Sequence, residues 1–164
     1  MDSLELGLLA LGVVVLGTVK ASAATGTRVS RTSGTGYVNG RPVELELHDV
    51  GNGQSLRADA AAACLELLAA ARAEGFALFV RSGFRTWDEQ KALYQAYKAG
   101  TGALAAPPGY SNHQQGRSVD LGGVGSFTST AYSWLTRNAA RFGFRNDVAS
   151  EYWHWTYTPP QGVA

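Results

Sequence analysis

The chain has 164 residues, of which 45% are hydrophobic and 16% charged, enough for one compact domain with a core and too few for two. A formal net charge of +1 provides no basic field, which argues against nucleic acid as a partner and against electrostatic attachment to an anionic membrane. The one cysteine, Cys64, rules out an internal disulfide and a multi-cysteine metal site, and its setting AAACLEL reads as a buried helix position without chemistry.

In chain order, Leu6 to Val19 is an uncharged, mostly apolar run followed by Ala21-Ser22-Ala23, the small-residue spacing of a secretory cleavage site. Asp2 and Glu5 stand where such a signal carries basic residues, and the run is shorter than the roughly 20 residues of a membrane span. Two readings of residues 1–24 stay open: an exported or membrane-associated leader, or a helix that docks on a partner or on this chain. Residues 25–36, rich in Ser, Thr and Gly without periodicity, read as a linker or irregular arm at a domain boundary. Asn39-Gly40 between short apolar runs signals a hairpin, and Val43, Leu45 and Leu47 alternate with Glu44, Glu46 and His48 as in a half-buried strand. His48 falls on the polar side and reads as exposed.

A helix is expected from Leu56 to Ala73, with Leu65, Leu68 and Arg72 in one row and Gly75 as C-cap. Phe76 to Val80 reads as a strand running into the loop Arg81-Ser82-Gly83-Phe84-Arg85-Thr86. Thr86 and Glu89 form a capping box for a helix that carries Gln90, Leu93, Tyr94 and Tyr97 and stops at Gly100. Gly100 to Gly109 is a loop. Ser118 to Leu121 reads as a short strand with Asp120 turned inward. A helix from Thr130 to Phe142, with Ser129 as N-cap and Gly143 as its stop, precedes a possible strand at Phe144 and an aromatic strand from Tyr152 to Tyr157.

The chemistry concentrates in two stretches. His113 and Asp120 stand seven positions apart around Gly116, and Glu151-Tyr152-Trp153-His154-Trp155 lies near the C-terminus. A catalytic zinc takes three protein ligands and leaves a position open, a set that His113, Asp120 and His154 would supply. Glu151 is the nearest candidate for a general base. In an unbroken strand positions 151 and 154 face opposite ways, so serving one site requires a bend between them. The HExxH pattern is absent. Arg85 fits stabilisation of a developing oxyanion, with an ion pair to Asp88 or another carboxylate as its alternative. Trp153 and Trp155 read as core or as a substrate platform. Without further support Asp120 could equally be a turn residue and His154 a packed core histidine.

Ser111-Asn112-His113-Gln114-Gln115-Gly116-Arg117-Ser118-Val119-Asp120 resembles the SxHxxGxAxD signature of the zinc D-alanyl-D-alanine carboxypeptidases of the VanY type, and Glu151-Tyr152-Trp153-His154 resembles their ExWH. Ser82-Gly83-Phe84-Arg85-Thr86 with Gln90 and Leu93-Tyr94 is similar to a third family segment, and Trp134-Leu135 through Phe144 to a fourth. The likeness runs from about Leu56 to Tyr157. It implies an α+β fold shared with the hedgehog signalling domain: a small central antiparallel sheet flanked by helices, with Zn2+ in a cleft. Residues 37–164 would form the peptidase domain. By the same resemblance His113, Asp120 and His154 hold the metal, Glu151 is the base, Arg85 the transition-state arginine, and Ser111 and Gln90 hold the substrate terminus. Ser118 departs from the usual Ala. The implied activity is trimming of peptidoglycan stem peptides by a D,D- or L,D-carboxypeptidase, acting as a monomer outside the cytoplasm. A phage-type or virion-associated endopeptidase is the neighbouring alternative, and a non-catalytic zinc-binding recognition module the alternative of another class.

Overall fold

The computed structural model describes residues 30–159. The apolar run Leu6–Val19, with both readings of residues 1–24, lies outside them. Among the described residues no helix is long and apolar enough to cross a membrane.

Two antiparallel sheets organise the chain. The first has the order β1-β2-β3, formed by β1 (Arg31–Val38), β2 (Arg41–Gly51) and β3 (Gln54–Arg57). Asn39 and Gly40 both take positive φ, as a two-residue hairpin turn demands. The linker reading of residues 25–36 is corrected for its described part, because Arg31 to Gly36 pair in register with His48 to Val43; residues 25–29 lie outside the described residues. The glycines that suggested looseness serve close approach instead. A Cβ on Gly36 would lie 2.7 Å from the Gln114 carbonyl oxygen, and one on Gly34 would lie 2.8 Å from Leu47 Cδ1.

The second sheet has the order β4-β5-β7-β6, from β4 (Phe79–Ser82), β5 (Ser118–Gly122), β6 (Phe144–Arg145) and β7 (His154–Tyr157). It is the central sheet that the sequence led us to expect, and all five residues of β5 are buried. Helix α1 (Ala58–Ala73) starts two residues later than expected, because Leu56 is a fully buried strand residue of β3. Its buried row is Ala60, Cys64, Leu67 and Ala71, whereas Leu65 is exposed, so the core stripe is one position off the expected row. Leu67, Val80, Val119, Leu121, Leu135, Phe144 and Trp155 share one core. Burial of each large apolar side chain there contributes about 1.5–3 kcal/mol.

Helix α2 (Trp87–Lys98) opens with the expected capping box, Thr86 accepting from the Glu89 amide while the Glu89 carboxylate accepts from Thr86. Helix α3 (Thr130–Asn138) is capped by Ser129 and tightens into a 3-10 turn, Ala139–Phe142, before Gly143 at φ 76°. β4 begins three residues later than expected and extends to Ser82. β7 begins at His154, since Tyr152 and Trp153 form a turn.

Candidate metal centre

β5 and β7 are neighbours with Asp120 directly opposite His154, so strand register alone places these two side chains on one face. His113 arrives from outside the sheet, on a 3-10 turn Asn112–Gln115 in which the His113 amide donates to Ser111 Oγ and which Gly116 closes at φ 66°. Arg57 of β3 donates its amide to the Gly116 carbonyl at 2.9 Å. A Cβ on Gly116 would lie 3.1 Å from that donor nitrogen, so the turn, the positive φ and the brace all favour glycine.

The three side chains converge. His113 Nε2 lies 3.3 Å from His154 Nδ1 and 3.4 Å from Asp120 Oδ1; His154 Nδ1 lies 3.0 Å from the same oxygen. All three residues are buried, and one ligand atom from each lies within 4.8 Å of the others. The outward nitrogens decide what faces inward. His113 Nδ1 sits 2.7 Å from the Gly83 carbonyl, which can only accept, so Nδ1 donates and Nε2 presents a lone pair. His154 Nε2 sits 3.2 Å from Thr156 Oγ1 and 3.3 Å from Asp147 Oδ1. Thr156 Oγ1 itself donates to Asp147 Oδ1 at 2.8 Å, so Nε2 is again the donor and Nδ1 the bare nitrogen. Two lone pairs and a carboxylate oxygen thus face one another, a repulsive arrangement that a cation in their midst relieves. The donor set fits a zinc-type ion of two nitrogens and one oxygen.

The electrostatics agree. Burial lowers the His113 pKa from its ordinary 6.5, outweighing the Asp120 carboxylate that raises it, which keeps the ring neutral. Burial alone would raise the Asp120 carboxyl, and the Arg85 guanidinium beside it acts in the opposite direction, favouring the carboxylate. Arg85 Nη2 donates to Asp120 Oδ2 at 2.7 Å and Arg85 Nε to Ser82 Oγ at 3.1 Å. Its carboxylate partner is therefore Asp120 rather than Asp88, and the pairing leaves Asp120 Oδ1 for the histidine side.

Glu151 Oε2 lies 3.9 Å from His154 Nδ1 with its side chain 22% exposed. The bend that spacing demanded is present: the His154 amide donates to the Glu151 carbonyl at 3.1 Å across a turn, and Asn146 Nδ2 holds the same carbonyl at 2.6 Å. A cleft of about 450 Å³ opens over these groups, lined by Arg81, Arg85, Gln90, Ser111, Glu151 and Trp153 together with the three convergent residues. Gln90 is 1% exposed. Its Nε2 donates to the Ala106 carbonyl at 2.8 Å, and its Oε1 has no partner among the described residues. All seven side chains expected from sequence thus meet in one place. Trp155 is core, while Trp153 lines the cleft.

Sequence reading missed Asp147, Thr156 and the part played by Ser118. Ser118 Oγ and Thr156 Oγ1 are 2.7 Å apart, which extends the chain of hydroxyls behind His154. Asp147 sits in an irregular segment with no motif to mark it. Thr156, two residues past His154 on a strand, shares its face by simple alternation, and that was the available signal.

The family model for VanY, D-alanyl-D-alanine carboxypeptidase, matches residues 53–160. The chain belongs to the VanY family. A D-alanyl-D-alanine carboxypeptidase of Enterococcus faecalis is 33% identical over 140 residues, 70% of this chain and 52% of the relative. The chain thus spans about half the length of that curated relative. Among solved structures, VanYB in complex with D-alanine-D-alanine superposes with a TM-score of 0.57 at 29% identity, covering 70% of this chain and 78% of that one. The L,D-carboxypeptidase LdcB superposes at a TM-score of 0.55 and 26% identity, over 63% and 59% of the two chains. A VanY D,D-pentapeptidase variant solved in complex with Zn(II) gives 0.55 at 29% identity, over 69% and 78%.

Proposed function

We propose that the chain is a zinc-dependent carboxypeptidase that removes the C-terminal D-alanine from peptidoglycan stem peptides. The observation that carries this reading is the convergence of His113 Nε2, Asp120 Oδ1 and His154 Nδ1 beside a carboxylate, Glu151, in an open cleft. A purely structural zinc site needs no such base, which weighs against a non-catalytic recognition module. The family membership and the VanYB complex support the substrate class. Wall peptides lie outside the cytoplasm, so the protein would work there.

Zinc held by these three residues would supply Lewis acidity at the scissile carbonyl and activate water. Glu151 accepts a proton from the attacking water and passes it to the departing amine nitrogen as the C–N bond breaks. Arg85, anchored to Asp120 through one nitrogen, has further N–H groups for the negative charge that grows on the carbonyl oxygen. Ser111 and Gln90 hold the peptide at the wall of the cleft.

The test is to incubate zinc-loaded protein with defined muropeptides and weigh the products. Free D-Ala from a pentapeptide ending in D-Ala-D-Ala supports the D,D reading. D-Ala from a tetrapeptide alone moves the activity to the L,D class, which LdcB represents. Internal cleavage without free D-Ala would replace the carboxypeptidase by an endopeptidase. Glu151→Ala is expected to lower kcat by about 10²–10⁴-fold, the usual worth of a general base, with zinc still bound.

A further inference from the structure

Arg81 has no part in the chemistry above, yet the fold aims it at the cleft. On β4 its neighbour Val80 is buried in the core, so alternation turns Arg81 the other way. The β4–β5 register shifts between Val80 and Ser82, leaving Arg81 with no opposed residue on β5, and an irregularity of this kind re-aims a side chain. The Arg81 guanidinium carbon lies 5.5 Å from the centroid of the Trp153 ring. Both residues line the cleft. An arginine on the face of an indole is restrained and still keeps its N–H edge for a planar acceptor.

Among the described residues Arg81 makes no ion pair, whereas Arg31, Arg57 and Arg85 pair with Glu46, Asp59 and Asp120. Arg85, the other arginine lining the cleft, has Asp120 as its partner. A carboxylate entering would pass Glu151, a like charge, and among the described residues Arg81 is the cleft arginine with no carboxylate partner of its own.

We propose that Arg81, stacked on Trp153, reads a carboxylate of the bound peptide. This rests on the peptidase reading and specifies the substrate further, as a peptide with an anionic group. That group is either its C-terminal carboxylate or an acidic side chain on the N-terminal side of the scissile bond. Arg81 touches substrate away from the reacting atoms, so it sets affinity and selectivity.

The experiment titrates three peptides calorimetrically into the zinc-loaded Glu151→Gln full chain, with and without Arg81→Gln. One is an acetylated peptide ending in D-Ala-D-Ala with an acidic residue upstream; the second has that side chain amidated; the third has its C-terminus amidated. Arg81→Gln is expected to weaken the first about tenfold, the scale of one hydrogen bond to a charged group. It should weaken one amidated peptide equally and leave the other unchanged, and the unchanged peptide is the one that lacks the carboxylate Arg81 reads. Arg81→Lys should recover part of the loss. Equal losses on all three peptides would mean that Arg81 only props Trp153, and no loss on any would mean a solvated side chain; either overturns the proposal. If none of the peptides binds with Arg81 intact, the peptidase reading itself falls and the proposal with it.

Discussion

The four-stranded sheet carries candidate ligand side chains itself, with Asp120 and His154 paired across β5 and β7, whereas the three-stranded sheet supplies none and acts through the loops it braces. Ser55 accepts the Phe84 amide at 2.7 Å, and Gln54 Oε1 accepts the Gly83 amide at 2.9 Å. The Gly83 carbonyl then fixes His113. Arg57 pins Gly116 at the far end of the same turn. One sheet therefore sets two candidate ligands by register, and the other sets the third at one remove. Substitutions of the candidate ligands on the four-stranded sheet should act all-or-none, while changes in the three-stranded sheet should be graded.

The largest effect is expected for His154→Ala, which removes a lone pair at the centre: metal analysis should find no stoichiometric zinc, and zinc-dependent hydrolysis should vanish. Asp147→Ala should leave the ligands but lower zinc affinity by about 10–100-fold, the range for a lost partner of a ligating histidine, measured by chelator competition. A smaller loss would mean that Thr156 orients His154 unaided.

Acid probes the same site. Burial depresses the His113 pKa from 6.5, so the unfolded chain binds this proton more readily than the fold does. Stability and metal retention from this residue are present above pH 6.5 and decline as pH falls below it. Thermal melts of the metal-free protein, and zinc occupancy followed downward from pH 7, would show this; a stability maximum below pH 6 would contradict it. Where the bracing sheet meets the loop after β4, Gly83→Ala puts a Cβ 2.6 Å from the Ser55 carbonyl oxygen and should destabilise by about 1–3 kcal/mol, read by urea denaturation, with weakened zinc binding. Gln54→Ala, which removes one acceptor, should cost only about 0.5–1.5 kcal/mol.

These contrasts follow what the sequence made legible. Period-two alternation, the capping box at Thr86 and Glu89, and Gly143 gave strands and helices to within a few residues. Four motifs in order brought all seven candidate side chains to one cleft. Two of the misses depend on long-range partners, and the third on weak local contrast. Arg31 to Gly36 reads as a linker until β2 lies beside it and Gly36 meets the Gln114 carbonyl. The buried row of α1 shifts because alanine stripes carry little hydrophobic contrast. Asp147 belongs to the site only through His154 and Thr156, so no local pattern announces it. Glu151 is the reverse case, since the bend it needs was deducible from the spacing to His154 alone.

On the proposed reading, His113 through Nε2, Asp120 through Oδ1 and His154 through Nδ1 hold one zinc. Anomalous diffraction from crystals of the zinc-loaded protein, recorded on both sides of the zinc absorption edge, tests it directly. One peak within bonding distance of these three atoms, with the His154 Nε2 side still turned to Thr156 and Asp147, is the predicted result. No peak there, or a zinc on the Nε2 side of His154, would contradict the account.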